Sequence, residues 1–210
     1  MLRTETVDPT TLELIKELQA KPYLNDFFLV GGTALSLYFG HRKSIDIDLF
    51  VNKPFDALDL LEKIQDDFSY QLYFTAISTL KGSIREVNVD LISHRYPLLK
   101  PPLCVDGISL LSVADIIAMK LNAISISGQR SKDFIDIYFA LEHFAIVDML
   151  SFYKNKYSQS GDMHVLKSLV YFDDVNLSDC PLLLQKQNLK WNDVKKRIEK
   201  AVFGFINEIK

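Results

Sequence analysis

The chain has 210 residues and a mass of 24.1 kDa, the size of one domain or of one domain with a helical extension, with enough length to bury a substantial core. With 48% hydrophobic and 24% charged residues, eight Gly and seven Pro, the composition excludes disordered, collagen-like and fibrous classes. A net charge of -3 and a pI near 5.8 disfavour a purely electrostatic nucleic-acid binder, while leaving room for local basic patches.

Asp8-Pro9 followed by Leu12, Ile15 and Leu18 reads as a capped helix with proline in its first turn and one apolar stripe. Glu5 and Asp8 stand where a signal peptide is apolar, and no run of about 20 apolar residues is present to span a bilayer, so neither secretion nor membrane insertion is expected. Phe27 to Val30 is a short apolar run ending at Gly31-Gly32, and Thr33 opens a short helical segment, giving strand, glycine turn, helix. Ile45, Ile47 and Leu49 alternate with Asp46, Asp48 and Phe50, a strand with two carboxylates on one face. Leu58, Leu61, Ile64 and Phe68 make a helical stripe, and residues 70–92 alternate as strands with turns near Gly82 or Arg85-Glu86. A mixed or antiparallel sheet follows. Pro97, Pro101 and Pro102 interrupt the pattern, and from Ser112 the apolar spacing is helical almost to the C-terminus. The expected division is an α/β part over 1–100 and a helical part over 101–210. Residues 181–210 hold seven Lys or Arg against three acids, a local +4, equally suited to a solvated helix face and to an RNA contact. Cys104 and Cys180 lack zinc or disulfide spacing and are expected to be small packing residues in a reducing, cytoplasmic setting.

The chemistry concentrates in Gly31-Gly32-Thr33, in Asp46-Ile47-Asp48 beginning 13 residues after Thr33, and in Asp90 within the strand-like Val87 to Ile92. Side chains two apart on a strand share a face, so Asp46 and Asp48 can offer oxygens to one divalent cation. Magnesium takes hard oxygen ligands, one or two carboxylates together with substrate phosphates. Asp90 beside them completes a three-carboxylate site of the kind used in two-metal nucleotidyl transfer. A side-chain-free turn at a helix start lets phosphate approach backbone N–H groups. Taken singly, each fragment also has a plain structural reading: a turn, a solvated strand face, an isolated acid. Ser112 is a helix cap ahead of Asp115 and Lys120, and Lys120 is either a phosphate-binding point charge or half of an ion pair. Asp133 and Asp136 share one face of the next helix, which together with Arg130 and Lys132 is alternatively an exposed helix start. Arg42 is placed to reach a phosphate, with His41 as polar support and not as a general base. Asp173 and Asp174 either close the cleft or end a helix. Tyr138 and Phe139 are read as core.

The run Gly31-Gly32-Thr33-Ala34-Leu35, then Gly40-His41-Arg42, Ser44 and Asp46-Ile47-Asp48-Leu49-Phe50, resembles the signature of the AbiEii/AbiGii toxin family of nucleotidyltransferase-fold proteins, nearly unbroken over 20 positions. Val89-Asp90-Leu91, Asp115 to Lys120, Lys132 to Asp136 and Tyr171 to Asp174 resemble later blocks, so the similarity spans residues 25–175. Where many relatives carry Arg-Gly before the block at Lys132, this chain has Ser127-Gly128, with Arg130 as the candidate replacement cation.

The resemblance implies an α+β nucleotidyltransferase-fold mixed sheet with flanking helices, followed by a C-terminal helical domain that closes the cleft. It implies Asp46 and Asp48 as metal ligands, an NTP donor and a cognate antitoxin encoded nearby. The expected function is therefore a Mg2+- or Mn2+-dependent nucleotidyltransferase that moves a nucleoside monophosphate onto an acceptor, RNA or tRNA, as the toxin of a toxin–antitoxin or abortive phage-infection pair. The expected catalytic residues are Asp46, Asp48, Asp90, Lys120 and Asp136, with Asp46, Asp48 and Asp90 on the metal. The expected nucleotide-binding residues are Gly31, Gly32, Thr33, Arg42, Ser44, Lys120, Arg130, Lys132 and Asp133. The alternatives are a nucleotide- or partner-binding protein without transfer, and an enzyme with a small-molecule, antibiotic-type acceptor. A basic rim fed by Lys190, Lys195, Lys196 and Arg197 favours RNA, and an acidic rim a cationic small molecule.

Overall fold

The computed structural model describes residues 1–158 and 161–208. Helix α1 (Pro9–Gln19) starts as its sequence dictates: the Asp8 carboxylate accepts from Thr10 N at 2.9 Å, Pro9 occupies the first turn, and Leu14, Ile15 and Leu18 are buried. The short strand β1 (Phe28–Leu29) runs straight into α2 (Gly31–Phe39), so the two glycines form the first turn of the helix itself. Gly40 ends α2 in the left-handed conformation, φ 73°. Strand β2 (Ile47–Val51) buries Ile47, Leu49 and Val51 and turns Asp48 and Phe50 to its other face. It begins two residues later than its alternation suggests, leaving Ile45 exposed.

After α3 (Ala57–Phe68), strands β3 (Gln71–Ala76), β4 (Thr79–Ile84) and β5 (Val87–Ser93) form a meander. Arg85 and Glu86 make the β4–β5 turn with φ of 50° and 65°, the two-residue left-handed loop that matches strand twist. Gly82, the other expected turn position, lies inside β4. A Cβ there would stand 2.3 Å from the Gln71 carbonyl oxygen, so the glycine serves close packing of strand on strand. Two short strands that carry no periodic signal, β6 (Leu103–Val105) and β7 (Ile108–Leu110), add a hairpin beyond Pro102.

The seven strands form one mixed sheet in the order β3-β4-β5-β2-β1-β7-β6. Strand β1 is antiparallel to β2 and parallel to β7, and β2 is parallel to β5. Helix α4 (Val113–Ile126) is capped by Ser112, whose Oγ accepts from Asp115 N at 3.1 Å. Helices α5 (Ser131–Ala140), α6 (Ile146–Tyr157), α7 (Met163–Leu169) and α8 (Trp191–Glu208) follow. The helical run expected to the C-terminus is interrupted: residues 170–190 form an irregular strap held by main-chain bridges from Leu183 to Arg42 and from Asn176 to Arg130.

Buried apolar side chains fall into two clusters. One runs from Leu2 to Ile116 around the sheet, the other from Ile117 to Val202 among α4–α8, so α4 serves both. Tyr138 and Phe139 belong to the second cluster. Asp115 and Lys156, at 0% and 1% exposure, pair at 2.8 Å and tie α4 to α6, with Asp115 also accepting from Leu99 N and Lys156 donating to the Pro97 carbonyl. Cys104 and Cys180 are both exposed, contrary to the packing expectation, because one sits on the edge strand β6 and the other on the strap. Asp173 and Asp174 lie exposed in a turn after α7. No helix among the described residues is long and apolar enough to cross a membrane.

Candidate active site

The parallel pairing of β2 with β5 sets Asp48 directly beside Asp90, and Phe50 beside Ile92. Asp46 lies just ahead of β2, its carboxylate accepting from Asn88 Nδ2 at 3.0 Å. Asp90 pairs with Lys81 of β4 at 2.8 Å, the residue opposite it in that ladder. Burial pushes the Asp48 carboxyl up to about 6, and repulsion from Asp90 and Asp46 adds to it against the pull of Lys120 and Arg130. Gly31 is required here on two counts. Its φ is +69°, and a Cβ would sit 2.3 Å from Asp48 Oδ2, so only glycine lets the helix start touch the carboxylate.

Behind this surface lies a closed ionic cluster. Asp136 is fully buried and takes a bidentate pair from Arg42, Nε to Oδ1 at 2.7 Å and Nη2 to Oδ2 at 3.0 Å. It also faces His41 Nε2 at 2.8 Å and Lys120 Nζ at 2.8 Å, while Lys120 donates to Asp133 at 2.6 Å. Burial alone would raise Asp136, yet Arg42, Lys120 and His41 hold it well below the usual carboxylate range. Lys120 is held above its ordinary value by Asp133 and Asp136 although burial opposes this. Burial lowers His41 despite Asp136, so the ring is neutral, with Nε2 donating and Nδ1 lacking a partner among the described residues. Gly32 makes room for Arg42, whose Nη2 would lie 2.2 Å from a Cβ. Thr33 and Ser44 are buried too. Thr33 Oγ1 donates to the Asp46 carbonyl at 2.5 Å and lies 2.8 Å from Ser44 Oγ, pinning the segment that carries the first carboxylate.

Of the residues expected to share a site, the fold therefore brings Gly31, Gly32, Asp48, Lys120, Arg130 and Asp133 around one cavity of about 340 Å3. Asp46, Arg42, Ser44 and Lys132 line a second, of about 450 Å3, on the other side of the carboxylates. Lys132 Nζ bridges Asp46 at 3.7 Å and Asp179 of the strap at 3.2 Å. Arg130 is the exposed cation of the first cavity, 58% accessible and 3.9 Å from Asp133. Asp133 and Asp136, at 3% and 0% exposure, are not an exposed helix start. Asp173 and Asp174 line neither cavity, and neither do Lys190, Lys195, Lys196 and Arg197. Arg197 pairs with Glu142 outside the cleft. The sequence reading missed Asn88, Asp179 and the ring residues His94 and Tyr157, which carry no local motif. Burial and the Lys156 charge lower His94 to about 4, so it is neutral.

The donor set suits a hard divalent cation: Asp46 and Asp48 offer carboxylate oxygens beside a phosphate-sized opening, and crowding with Asp90 is a charge that a cation relieves. Among the described residues no group of three or more His, Cys, Asp or Glu side chains is placed to hold a metal ion.

The chain matches the family described as nucleotidyl transferase AbiEii toxin, type IV TA system, over residues 13–203. It is 32% identical over 168 residues to protein aq_aa25 of Aquifex aeolicus (strain VF5), covering 77% of this chain and 81% of that one. Among solved structures it resembles MenT4, nucleotidyltransferase toxin Rv2826c of Mycobacterium tuberculosis H37Rv, with TM-score 0.63 and 14% identity over 96% of this chain and 83% of that one. It also resembles JHP933 of Helicobacter pylori, with TM-score 0.55 and 18% identity over 97% and 94% of the two chains. At such identities the structural likeness speaks for the fold alone, and the family match speaks for the rest: the chain belongs to the AbiEii family of nucleotidyltransferase toxins of type IV toxin–antitoxin systems.

Proposed function

We propose that this toxin transfers a nucleoside monophosphate from an NTP to the end of an RNA, with release of pyrophosphate, using Mg2+ or Mn2+ held by Asp46 and Asp48. The observation that carries this is Asp48, in register with Asp90 of β5 and set against Gly31 at the start of α2 on one wall of a cleft. The free N–H groups of the first turn of α2 donate to the triphosphate oxygens. Arg130 adds an exposed cation there, and Lys120 a buried one at the cavity wall. Asp46 and Asp48 would hold the divalent ion here, and when bound it would supply positive charge against that of the phosphates and carboxylates. Asp90 takes the proton of the attacking hydroxyl, and Lys81 sets its orientation. The acceptor approaches along the second cavity, where Lys43 and Lys132 flank Asp46 and favour a polyanion over a cationic small molecule. His41 and Asp136 position Lys120 and the glycine turn without touching substrate, and Arg42 pairs with Asp136 at the edge of the second cavity. In this reading residues 1–100 hold the carboxylates and residues 101–210 close the cleft, in the cytoplasm, opposed by an antitoxin of the type IV kind.

The test is transfer of label from each α-phosphate-radiolabelled NTP to total cellular RNA in the presence of Mg2+, beside an Asp46→Ala/Asp48→Ala double variant. Label in RNA with the wild type alone is expected. A folded double variant that labels RNA equally well defeats the assignment.

A further inference from the structure

The face of β2 and β5 that carries the carboxylates changes character within two residues. Asp46 stands just ahead of β2, whose outward positions are Asp48 and then Phe50, and along β5 they are Asp90 and then Ile92, with Phe50 and Ile92 in register. Just past β5, His94 donates its main-chain N–H to the Val51 carbonyl at 2.7 Å, which sets its ring against Phe50 with centroids 5.6 Å apart. Tyr157 from α6 meets the His94 ring edge-on at 5.9 Å. Two strand residues advance about 6.6 Å, roughly the breadth of one sugar between a phosphate and a base. The cavity is thus two-ended: glycines, Lys120 and Arg130 at one end, rings at the other, Asp48 between.

An ordinary core patch accounts poorly for this end. Buried neighbours such as Leu49 and Leu91 are at 0% exposure, whereas Phe50, Ile92 and His94 are only partly buried at the cavity wall. Asn122 of α4, half-buried at the same cavity, has a side-chain amide with no hydrogen bond among the described residues, a donor and an acceptor left available.

We infer that Phe50 and His94, backed by the buried Tyr157, form the platform on which the base of the donor nucleotide rests, and that the Asn122 amide reads the edge of that base and sets the NTP preference. Stacking on rings accepts any base, whereas a directed amide discriminates by the donors and acceptors a base presents. The inference rests on the transfer reading for the identity of its ligand as a nucleoside triphosphate.

The test is calorimetric titration of the full-length protein, with Mg2+, by each of the four NTPs and by inorganic tripolyphosphate, which has the charge and no base. The variants are Phe50→Leu and His94→Leu, which remove a ring but keep a side chain of comparable bulk, and Asn122→Ala. Near-native thermal unfolding for each variant confirms that it folds. Wild type is expected to bind its preferred NTP at least about tenfold tighter than tripolyphosphate. The ring variants lose about tenfold for NTPs and nothing for tripolyphosphate, and Asn122→Ala brings the four NTPs to within about threefold of one another. Equal binding of NTP and tripolyphosphate by the wild type, or ring variants that leave NTP affinity unchanged, overturns the platform and leaves the transfer reading standing. Ring-dependent NTP binding without any labelled acceptor overturns the transfer reading alone, and a protein that binds no triphosphate overturns both.

Discussion

Replacing Asp48 by Asn should remove transfer and at the same time make the metal-free protein more stable. The fold holds this carboxyl at about 6 against an ordinary 3.8, first through burial and then through Asp90 and Asp46. A group whose pKa is raised by folding contributes stability fully below its unfolded value, and that contribution is lost as pH rises through the folded value. For Asp48 the window runs from about pH 4 to just above 6, and the two-unit gap corresponds to a ceiling of about 3 kcal/mol at neutral pH and above. Asn has no charge to bury, so it escapes this loss. The assay is urea unfolding with a chelator present, at about pH 5 and about pH 8, because the linkage between those values is worth about 1 kcal/mol. The stability gap between variant and wild type should be positive at both and wider by about 1 kcal/mol at the higher pH. Titrations shared by both proteins cancel in that comparison. A gap that is zero, negative or independent of pH would refute the claim that Asp48 is an ionised group held at a cost to the fold.

Three further substitutions separate catalytic from architectural roles. Gly31→Ala places a Cβ 2.3 Å from Asp48 Oδ2 at φ +69°, so we expect a stability loss of about 1–2 kcal/mol from the left-handed backbone and a fall in transfer rate far larger than that loss explains, checked by urea unfolding alongside steady-state kinetics. Asp136→Ala strands the buried Arg42 and Lys120 charges and should cost about 3–5 kcal/mol in denaturant unfolding; an inactive variant of unchanged stability would instead mark Asp136 as catalytic. Lys156→Met leaves Asp115 buried without its cation, again about 3–5 kcal/mol, and thermal melts should record that loss even though the substitution lies away from Asp46 and Asp48.

Local patterns in the chain carried much of the candidate site. Alternation located the strands of Asp48 and Asp90, the double glycine located the helix start beside them, and Asp8 and Ser112 announced their helices, because caps and strand periods are properties of a few consecutive residues. Where neighbours distant in sequence decide the outcome, the local reading went astray. Gly82 reads as a turn until β3 is laid beside it, and β6 and β7 are too short to show a period. The strap over 170–190 contains enough apolar residues to imitate a helix, yet its main chain is committed to bridges with Arg42 and Arg130.

The same division runs through the chemistry. By itself the sequence determined which side chains are able to do it: paired carboxylates at strand spacing, a glycine turn that phosphate can approach, and a family signature that names the reaction class. Tertiary structure alone decided how those groups are used. Only the pairing of β2 with β5 sets Asp48 beside Asp90, and only the packing of α5 against the loop after α2 sinks Asp136, fully buried, into a cluster with Arg42, His41 and Lys120. The reason is physical: a carboxylate's role follows from its solvent contact and the charges around it, and both are set by residues tens of positions away in the chain.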